Sequence, residues 1–418
     1  MNFETPNIRH LRVFLQVIAT KSISKASKKV FLSQPAITQA ISKLEGMLKT
    51  TLFERRNNGM YVTPSGAAYA QSGAAYAHRV ERALNIISDG TKAAIRVGIH
   101  KDPSQKDGSG STGHSLQMLT TTQLRALIAV SETQNFSLAG RNIGISQSSL
   151  HRSARELESQ IGVVFFEKTL TGINISKAAQ ILAKASKLAF AEISQGQDEV
   201  NSLHNREVGI INIGCMPLAR TSIVPSAITQ FSHQYPDFSF RVGDGSYDDL
   251  LSHLRHGDFD MLIGALRFPI PSDDVIQEEL FSSSICIVAR AGHPLCQNAD
   301  ANTQALSQYP WVVPPATTPS HDIFKSIFSG DDDIPKNLVE TSSQILMRTL
   351  LLDSDRIGII SVEQIQHELD SGLLQKIPYE IEQGSRPIGI TVRKSWEPTK
   401  TQIFFIEKLR ESGLALNE

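Results

Sequence analysis

One short stretch of the sequence, residues 33–43, carries side chains of the types that recognise base edges in DNA. It opens with a serine, a glutamine and a proline, which is typical of a helix N-terminus, and its apolar residues recur at helical spacing. The outward positions of this predicted helix hold amides, hydroxyls and one amine, which suit base edges and phosphates in a major groove. The candidate DNA-contacting residues are Ser33, Gln34, Pro35, Thr38, Gln39 and Lys43.

Two arginines stand where a small β-hairpin is predicted to begin. Arg55 and Arg56 precede Asn57-Asn58-Gly59, a turn sequence between two short extended segments. A hairpin at this point would be the wing of a winged helix-turn-helix, and arginines at its base could bind phosphate. Arg55 and Arg56 are therefore candidate DNA contacts as well.

The elements that would position these residues occur twice, at residues 11–63 and 124–176. The offset is constant, since Leu124 minus Leu11 is 113, and the same offset pairs Gly59 with Gly172. Matches fall on positions that form cores, caps and turns, so the repeat predicts a second module of the same fold. The corresponding candidate DNA contacts are Ser146, Gln147, Ser148, His151, Arg152 and Arg155.

The second copy departs from the first at several positions. Ser148 stands where the first copy has Pro35, and Lys168-Thr169 replaces the two arginines of the wing. Two interpretations stay open: the second module reads a further DNA segment, or it serves as a spacer or dimerisation block.

The motifs of both copies resemble those of the LysR-type transcriptional regulators. The matching segments are 22–26, 32–38, 44–45, 52–55 and 63–66 in the first copy and 124–127, 136–139, 145–147, 157–158 and 165–168 in the second. The resemblance implies a winged helix-turn-helix whose third helix enters the major groove of double-stranded DNA. It implies a sequence-specific transcriptional regulator in which Ser33, Gln34, Pro35, Thr38 and Gln39 touch DNA, with Arg55 and Arg56 helping from the wing.

Charge is distributed unevenly, although the net charge of the 418 residues is −1. Residues 1–97 hold 14 basic against 5 acidic side chains, whereas residues 208–418 hold 16 against 27. Residues 124–207 are nearly balanced, with 9 against 8. This asymmetry favours polyanion binding at the amino-terminal end.

The predicted domain boundaries place a flexible tether between the two modules. They are 1–66 for the first winged helix-turn-helix, 67–97 for a linker helix, 98–118 for the tether, 119–179 for the second winged helix-turn-helix, 180–206 for a second linker helix and 207–418 for an effector-binding domain. Residues 101–115 are polar and rich in Gly and Ser, which predicts that the first module moves relative to the second without rigid spacing. In the family a linker helix pairs with its counterpart from another subunit, which implies a homodimer or homotetramer.

From residue 208 onward, predicted strands alternate with helices, which indicates α/β layers over a mainly parallel sheet. Segments 235–236, 257–260, 292–295 and 356–360 resemble the family's effector domain. The resemblance implies two subdomains, about 207–284 with 396–418 and about 285–395, enclosing a small-molecule effector. The expected fold class is multidomain: two mainly α winged helix-turn-helix domains plus a two-subdomain α/β effector domain that is like a periplasmic binding protein.

Ligands of such sheets bind at the carboxyl ends of strands and at helix starts. The candidate effector-binding residues chosen by this rule are Met216, Pro217, Arg220, Thr221, Ser222, Arg267, Thr341 and Ser342. The two arginines could bind a carboxylate. Two loop sequences are similar to a subgroup named for a regulator of galactose-binding protein, which points to a sugar or a small organic acid.

Other classes of protein have weaker support in the sequence. It has no nucleophile motif, phosphate loop or metal-ligand spacing, so neither an enzyme nor a bound metal or cofactor is expected. No run of about 18 apolar residues and no export signal occur, and the three cysteines are scattered, which indicates a cytoplasmic protein without a membrane partner. Cys286 and Cys296 leave open a redox-responsive regulator, and RNA polymerase is a further expected partner.

Overall fold

A computed structural model describes residues 5–56, 59–62, 69–99, 118–170, 172–204, 206–297, 301–328, 334–382 and 384–416. The chain forms two compact units. The first comprises Met1–Gly209 with His256–Asp258, and the second comprises Ile210–Arg255 with Phe259–Glu418. Separate apolar clusters form the cores of the two units.

The first module consists of three helices and a two-stranded hairpin. These elements are α1 (Ile8–Thr20), α2 (Ile23–Val30), α3 (Gln34–Leu48), β1 (Phe53–Arg56) and β2 (Gly59–Val62). The side chains of Ser22 and Ser33 cap α2 and α3 by accepting hydrogen bonds from backbone amides of the first turn. Phe14, Ile37 and Leu44 are buried between the helices, so the helical spacing in the sequence corresponds to a shared core.

The second module repeats the first with the same element lengths. Its elements are α5 (Thr121–Thr133), α6 (Phe136–Ile143), α7 (Gln147–Ile161), β3 (Phe166–Thr169) and β4 (Gly172–Ile175). Each begins and ends 113 residues after its counterpart, the offset that Leu11 and Leu124 define. The duplication predicted from the sequence is confirmed.

A glutamate, half-buried in the first module and buried in the second, attaches each hairpin to the third helix of its module. Glu45 Oε1 accepts hydrogen bonds from the backbone amides of residues 52 and 53, at 2.8 and 3.3 Å. Glu158 Oε1 accepts the equivalent bonds from residues 165 and 166, at 2.7 and 2.9 Å. Since a buried amide without an acceptor costs about 1–3 kcal/mol, these carboxylates stabilise the start of each wing.

The two linker helices pack against each other within the chain. They are α4 (Tyr69–Ile99) and α8 (Lys177–Leu203), and they run antiparallel, because Gly90 contacts Ala185 while Gly196 contacts Arg79. The linker helix therefore has a partner in its own chain, which differs from the pairing between subunits that the family resemblance implied.

The expectation of freely moving modules is wrong, because direct contacts join the two modules into one compact unit. Besides the linker helices, the start of α1 is hydrogen-bonded to the start of α5. Residues 100–117, which make up most of the predicted tether, lie outside the described residues.

The second unit alternates strands and helices over its first part. These elements are β5 (Ile210–Cys215), α9 (Ile223–Gln234), β6 (Ser239–Gly243), α10 (Tyr247–His256) and β7 (Met261–Ala265). The following elements are β8 (Val275–Arg290), α11 (Thr303–Ser307), β9 (Trp311–Val313), α12 (Pro319–Ser326), β10 (Leu338–Glu340), α13 (Gln344–Leu352), β11 (Ile357–Ser361), α14 (Gln366–Asp370), β12 (Leu374–Lys376), β13 (Ser385–Arg393) and α15 (Lys400–Leu414).

The strands of this unit form one hydrogen-bonded path in the order β10-β9-β11-β8-β13-β7-β5-β6, with β12 paired to β8. The long strands β8 and β13 run antiparallel to each other and belong to both halves of the path. Every pairing of β8 or β13 with another strand is antiparallel, whereas β5–β6, β5–β7, β9–β10 and β9–β11 are parallel. The sheet is therefore mixed, and the prediction of a mainly parallel sheet holds only outside the two crossing strands.

Each half of the path has its own apolar core and forms a subdomain. Phe231 packs against Phe240 and Phe405 in the half that contains β5 to β7, so the last helix, α15, returns to the first subdomain. Trp311 packs against Phe324 in the other half. Over the described residues, no helix combines the length and hydropathy needed to cross a membrane.

Candidate functional site

Helix α3 presents most of its predicted DNA-contacting side chains to solvent. The exposed ones are Ser33, Gln34, Pro35, Gln39 and Lys43. Thr38 is half-buried, and its hydroxyl donates a hydrogen bond to the backbone carbonyl of Gln34 at 3.1 Å. The exposed set forms a polar surface on a helix whose inward side, including Ile37 and Leu44, is fully packed.

The wing of the first module is held by a close backbone approach. The Met60 amide donates to the Lys21 carbonyl at 2.9 Å, and Gly59 has φ +146° with no room for a side chain, since a Cβ would lie 2.6 Å from that oxygen. Arg55 and Arg56 pair with Met60 and Gly59 in the hairpin. The side chains of both arginines lie outside the described residues, so their phosphate contacts stay predictions.

Helix α7 presents the equivalent polar surface in the second module. Its exposed candidates are Ser146, Gln147, Ser148, His151, Arg152 and Arg155. Gln147 accepts a hydrogen bond from the Ser137 hydroxyl at 2.8 Å, and the His151 ring lies 5.0 Å from that of Phe136. The second module thus retains an exposed helix face with a cation, Arg152.

One of these candidates already has a partner within the module. Arg155 Nη1 lies 2.6 Å from Glu158 Oε2, the carboxylate that also anchors the second wing. The counterpart of Arg155 in the first module is Ser42, so this ion pair occurs only in the second wing anchor. Arg155 therefore has an observed structural contact in addition to its predicted contact with DNA.

In the second unit, a cavity of about 110 Å³ lies between the two subdomains. The loop after β5 and the end of β7 form one wall, and the loop after β9, the start of α13 and the end of β11 form the other. Four of the predicted effector residues line it, namely Met216, Pro217, Thr341 and Ser342. Apolar lining comes from Leu218, Pro314, Pro315, Met347 and Ile359.

A positively charged side chain, Arg386 on β13, lies at this cavity. Its Nη1 donates to Ser320 Oγ at 2.5 Å and its Nη2 to Ser361 Oγ at 2.9 Å, while its buried Nε has no hydrogen-bond partner. Burial and the nearby charge of Arg267 lower the pKa of Arg386 to about 10. Among the described residues no carboxylate forms an ion pair with Arg386, although the charge of Glu363 acts to raise its pKa. A half-buried cation thus lies at the cavity with two neutral hydroxyls as its hydrogen-bond partners.

The other four predicted effector residues are not among those lining the cavity. Arg220 forms an ion pair with Asp244 at 2.9 Å, and Thr221 donates to the Leu218 carbonyl at 2.9 Å. The buried hydroxyl of Ser222 has no partner among the described residues. The Arg267 guanidinium stacks 4.6 Å from the centre of the Tyr247 ring, and burial lowers the pKa of Arg267.

The sequence search missed Arg386, Ser320 and Ser361. Ligands of such sheets bind in the loops after strands and at helix starts, whereas Arg386 lies within a strand and Ser361 is the last residue of one. One signal was available, because Arg386 is a cation directly ahead of an apolar run in the sequence of β13. Its two serine partners lie 66 and 25 residues away, and no local pattern connects them.

The cysteines are poor candidates for a redox pair. Cys286 packs in one apolar cluster of the second subdomain and Cys296 in another. Burial raises the pKa of Cys286 to about 11, and it also raises the pKa of Cys296. Because the thiolate is the reactive form, both thiols are weakly nucleophilic near neutral pH. In the described part of the chain, no cluster of three or more His, Cys, Asp or Glu side chains is arranged to hold a metal ion.

Family models match most of the chain. The model for the LysR substrate binding domain matches residues 204–413, and the model for the bacterial regulatory helix-turn-helix protein, lysR family, matches twice, at residues 8–67 and 121–180. The two helix-turn-helix matches coincide with the two modules. The substrate-binding match covers nearly all of the second unit and therefore includes the cavity.

Curated relatives extend over both modules or over only one. The transcriptional regulator GalR of Pseudomonas putida is 27% identical over 394 residues, which are 94% of each chain. The regulator PcaQ of Agrobacterium fabrum is 26% identical over 299 residues, which are 71% of this chain and 96% of that one. PcaQ is thus shorter than this chain by roughly one repeat.

Solved structures with the same fold include full-length regulators. A full-length OxyR variant from Pseudomonas aeruginosa has a TM-score of 0.51 at 20% identity, covering 69% of this chain and 97% of that one. Full-length LysG from Corynebacterium glutamicum, with bound effector Arg, has a TM-score of 0.50 at 15% identity, covering 70% and 97%. These likenesses show the fold, and the family matches over both units show that the chain belongs to the LysR family of helix-turn-helix transcriptional regulators, with its helix-turn-helix module duplicated.

Proposed function

We propose that this regulator contacts DNA through both α3 and α7 and that a small organic acid bound in its cleft controls it. The DNA part rests on one observation, which is that both modules keep an exposed polar face on the helix that enters the major groove in this fold. Arg152 gives the second face a cation of its own. Of the two roles left open for the second module, DNA contact is the one that this surface favours.

The effector part of the proposal rests on Arg386. A partly desolvated guanidinium whose buried Nε has no acceptor is costly, and a bound carboxylate would supply two acceptors in the planar geometry that arginine prefers. The free Nε adds a further donor on the same group. The apolar walls, including Met216, Pro314 and Ile359, fit an acid with an apolar body better than a sugar, which presents hydroxyls on all sides.

A binding screen on the full chain tests the effector part. Small carboxylic acids with apolar bodies, each beside its primary amide, and D-galactose would be compared by the shift that each causes in the melting temperature. We expect acids to stabilise the second unit and amides and galactose to leave it unchanged. The variant Arg386→Gln should weaken binding of an active acid by roughly tenfold or more, as loss of a charged hydrogen bond predicts. Stabilisation by galactose alone, or equal binding to the variant, would reject the proposal.

A footprint of the full chain on genomic fragments tests the DNA part. Substituting Gln34 and Thr38 with Ala in the first module, and their equivalents Gln147 and His151 with Ala in the second, removes matched pairs of polar side chains. We expect each double variant to lose part of the protected region. Protection that is unchanged in the second variant would return that module to the role of a spacer.

The remaining functional expectations follow from the family and not from a particular contact. They are homo-oligomer formation, contact with RNA polymerase and a cytoplasmic location. A catalytic step is not part of the proposal. A redox role has little support because burial raises the pKa of both Cys286 and Cys296. A response to oxidant that disappears in a Cys286→Ser, Cys296→Ser variant would favour that role instead.

A further inference from the structure

Two contacts in the first unit join equivalent positions of the two repeats. The Ile8 amide donates to Thr121 Oγ1 at 2.9 Å, and Arg79 Nη1 donates to Glu192 Oε2 at 3.0 Å, and in both pairs the residues are 113 apart. Contacts between equivalent positions indicate a two-fold arrangement, in which a surface of one copy contacts the same surface of the other copy. The two modules with their linker helices are therefore related by an approximate two-fold axis inside one chain.

The linker helices cross this axis at a buried cluster of opposite charges. The Arg79 side chain is 3% exposed and lies 3.0 Å from Glu192 and 2.6 Å from Glu199, and it also donates to Gln195. Arg82 lies 2.9 Å from the second oxygen of Glu192. Burial works against the charge, yet hydrogen bonds with Glu199 and Glu192 raise the pKa of Arg79. The cations are all on α4 and the anions are all on α8.

The charges make pairing between identical linker helices unfavourable. Because equivalent positions meet at the axis, two copies of α4 would bring Arg79 and Arg82 against the same two arginines. Two copies of α8 would bring Glu192 and Glu199 against their own copies. Like charges that are buried without counterions are strongly disfavoured. Only the pairing of α4 with α8 places opposite charges together.

The contact between Ile8 and Thr121 also requires two different residues at equivalent positions of the two copies. Thr121 Oγ1 accepts from the Ile8 amide and donates to the Pro6 carbonyl, both at 2.9 Å. The position equivalent to Thr121 in the first copy is Ile8, whose side chain can do neither. Arg12 Nη1 donates to the Leu119 carbonyl at 3.2 Å and thereby connects the same two segments.

We propose that α4 pairs with α8 and excludes a second α4, so that one chain carries a complete pair of DNA-reading modules. We call these modules, residues 8–62 and 121–175, the two reading heads. The two heads are unequal, because the first presents Pro35 and Gln39 where the second presents Ser148 and Arg152. On the basis of the proposed function, the DNA partner of one chain is then a duplex with two different half-sites, in contrast to the inverted repeat that two identical heads would read.

Engineered cysteines distinguish the two kinds of pairing without DNA. A Cβ on Gly98 of α4 would lie 3.2 Å from the Cβ of Val163 in the second module, a few tenths of an ångström less than the Cβ separation of about 3.5–4.5 Å in disulfides, so a small shift allows a cross-link. The residue equivalent to Val163 in the first module is Thr50. If α4 instead paired with the α4 of another chain, Gly98 would approach Thr50 of that chain. Gly98→Cys with Val163→Cys therefore reports the proposed pairing. Gly98→Cys with Thr50→Cys reports the alternative, and it also carries Val163→Ala, which removes the two methyl carbons that would lie 2.4 and 2.8 Å from the new Cβ.

Mild oxidation followed by non-reducing electrophoresis shows whether a disulfide forms within one chain or between two chains. We expect the Gly98→Cys, Val163→Cys variant to form a cross-link within a chain of unchanged mass, which mass spectrometry of the tryptic peptides locates. The Gly98→Cys, Thr50→Cys variant should give no covalent dimer beyond the level of the parent protein, whose three native cysteines provide the background. A covalent dimer through residues 50 and 98, or failure of 98 and 163 to cross-link in a folded variant, would overturn the proposed pairing.

The DNA consequence is tested on the shortest duplex that the full chain protects. We expect its two halves to differ in sequence, and replacing one half by an inverted copy of the other should weaken binding at least tenfold. Gln39→Ala should alter base preference in one half only, and Arg152→Ala in the other half only. A symmetric site at which each substitution affects both halves equally would overturn the inference. Absence of any specific site would reject the proposed function together with this consequence, while the cross-links would still decide the pairing.

Discussion

The two reading heads share a backbone but differ where they face solvent. Their helices and strands have equal lengths, and Glu45 and Glu158 make the same two hydrogen bonds to the wing. The exposed positions of the recognition helices differ in chemistry, as Gln39 and Arg152 illustrate. The wing-anchoring glutamate thus has the same residue type in both copies, and so do the helix-starting Ser33 and Gln34. Exposed or contact positions such as Pro35, Gln39 and Arg79 have changed. The comparison separates residues needed for folding from residues that set specificity.

The largest effect should come from removing the cation at the contact between the two copies. Arg79→Ala removes the cation paired with Glu199 and one of the two cations paired with Glu192, and breaking a buried ion pair in this way costs about 3–5 kcal/mol. Hydrogen exchange of the amides in α4 and α8 of the full chain measures the loss. The matched control is Arg96→Ala, an exposed arginine of the same helix, which should change little. A cost below about 1 kcal/mol would mean that the buried charges do not hold the heads together.

The wing anchors should show the next largest effect and test whether the two heads are equally stable. Glu45→Ala and Glu158→Ala each leave two amides without an acceptor, at a cost of about 2–4 kcal/mol for each head. We expect the Glu158 variant to lose more, since it also frees Arg155 from its ion pair. Glu45→Gln and Glu158→Gln, which keep an acceptor oxygen, are the controls and should retain most of the stability. Amide exchange at residues 52–53 and 165–166 reports each head separately.

A smaller effect is expected at equivalent positions of the two DNA surfaces. Gln39→Ala removes an amide that can read a base edge, and we expect a loss of about 1–3 kcal/mol in discrimination without a change in salt dependence. Arg152→Ala removes a charge, so the slope of log affinity against log salt should fall by about one. Titrations at several salt concentrations separate the two outcomes. Arg410→Ala, which removes an arginine of the second unit, is the control. Equal slopes in both variants would contradict a contact between DNA and the charge of Arg152.

The fold of each head was predictable from the sequence because its determinants are local. Caps such as Ser33 and Ser146 lie within a few residues of the helices they start, and the repeat supplies a second, independent reading of the same pattern. The association of the heads was not predicted, since it depends on Arg79 and Glu192, which lie 113 residues apart. Their equal positions and opposite charges were present in the repeat alignment. Only the antiparallel packing of α4 against α8 brings Arg79 and Glu192 into contact, and this packing is a tertiary feature.

Four of the eight predicted effector residues line the cavity, and these four have local determinants in the sequence. Met216, Pro217, Thr341 and Ser342 follow strands or begin helices, so the topological rule finds them. Arg386 lies on a crossing strand, where its neighbours are determined by the antiparallel register of β8 and β13 and by two serines far away in the chain. Such convergence depends on the tertiary fold, and residue spacing alone does not reveal it.

The smallest predicted effect concerns the residues that end the helices of the two heads. Lys49 ends α3 with φ +51°, a left-handed conformation that costs a non-glycine residue about 1 kcal/mol, whereas the equivalent Gly162 adopts φ +75° without this cost. We expect Lys49→Gly to stabilise the first head by about 1 kcal/mol and Gly162→Ala to destabilise the second by about the same amount. Apart from its own chain neighbours, no described atom lies within 4 Å of a Cβ placed on Gly162. The change in stability of Gly162→Ala therefore measures the cost of the left-handed backbone conformation. Hydrogen exchange at the ends of α3 and α7 measures both shifts, and shifts of equal sign in the two heads would show that their helix ends are not physically equivalent.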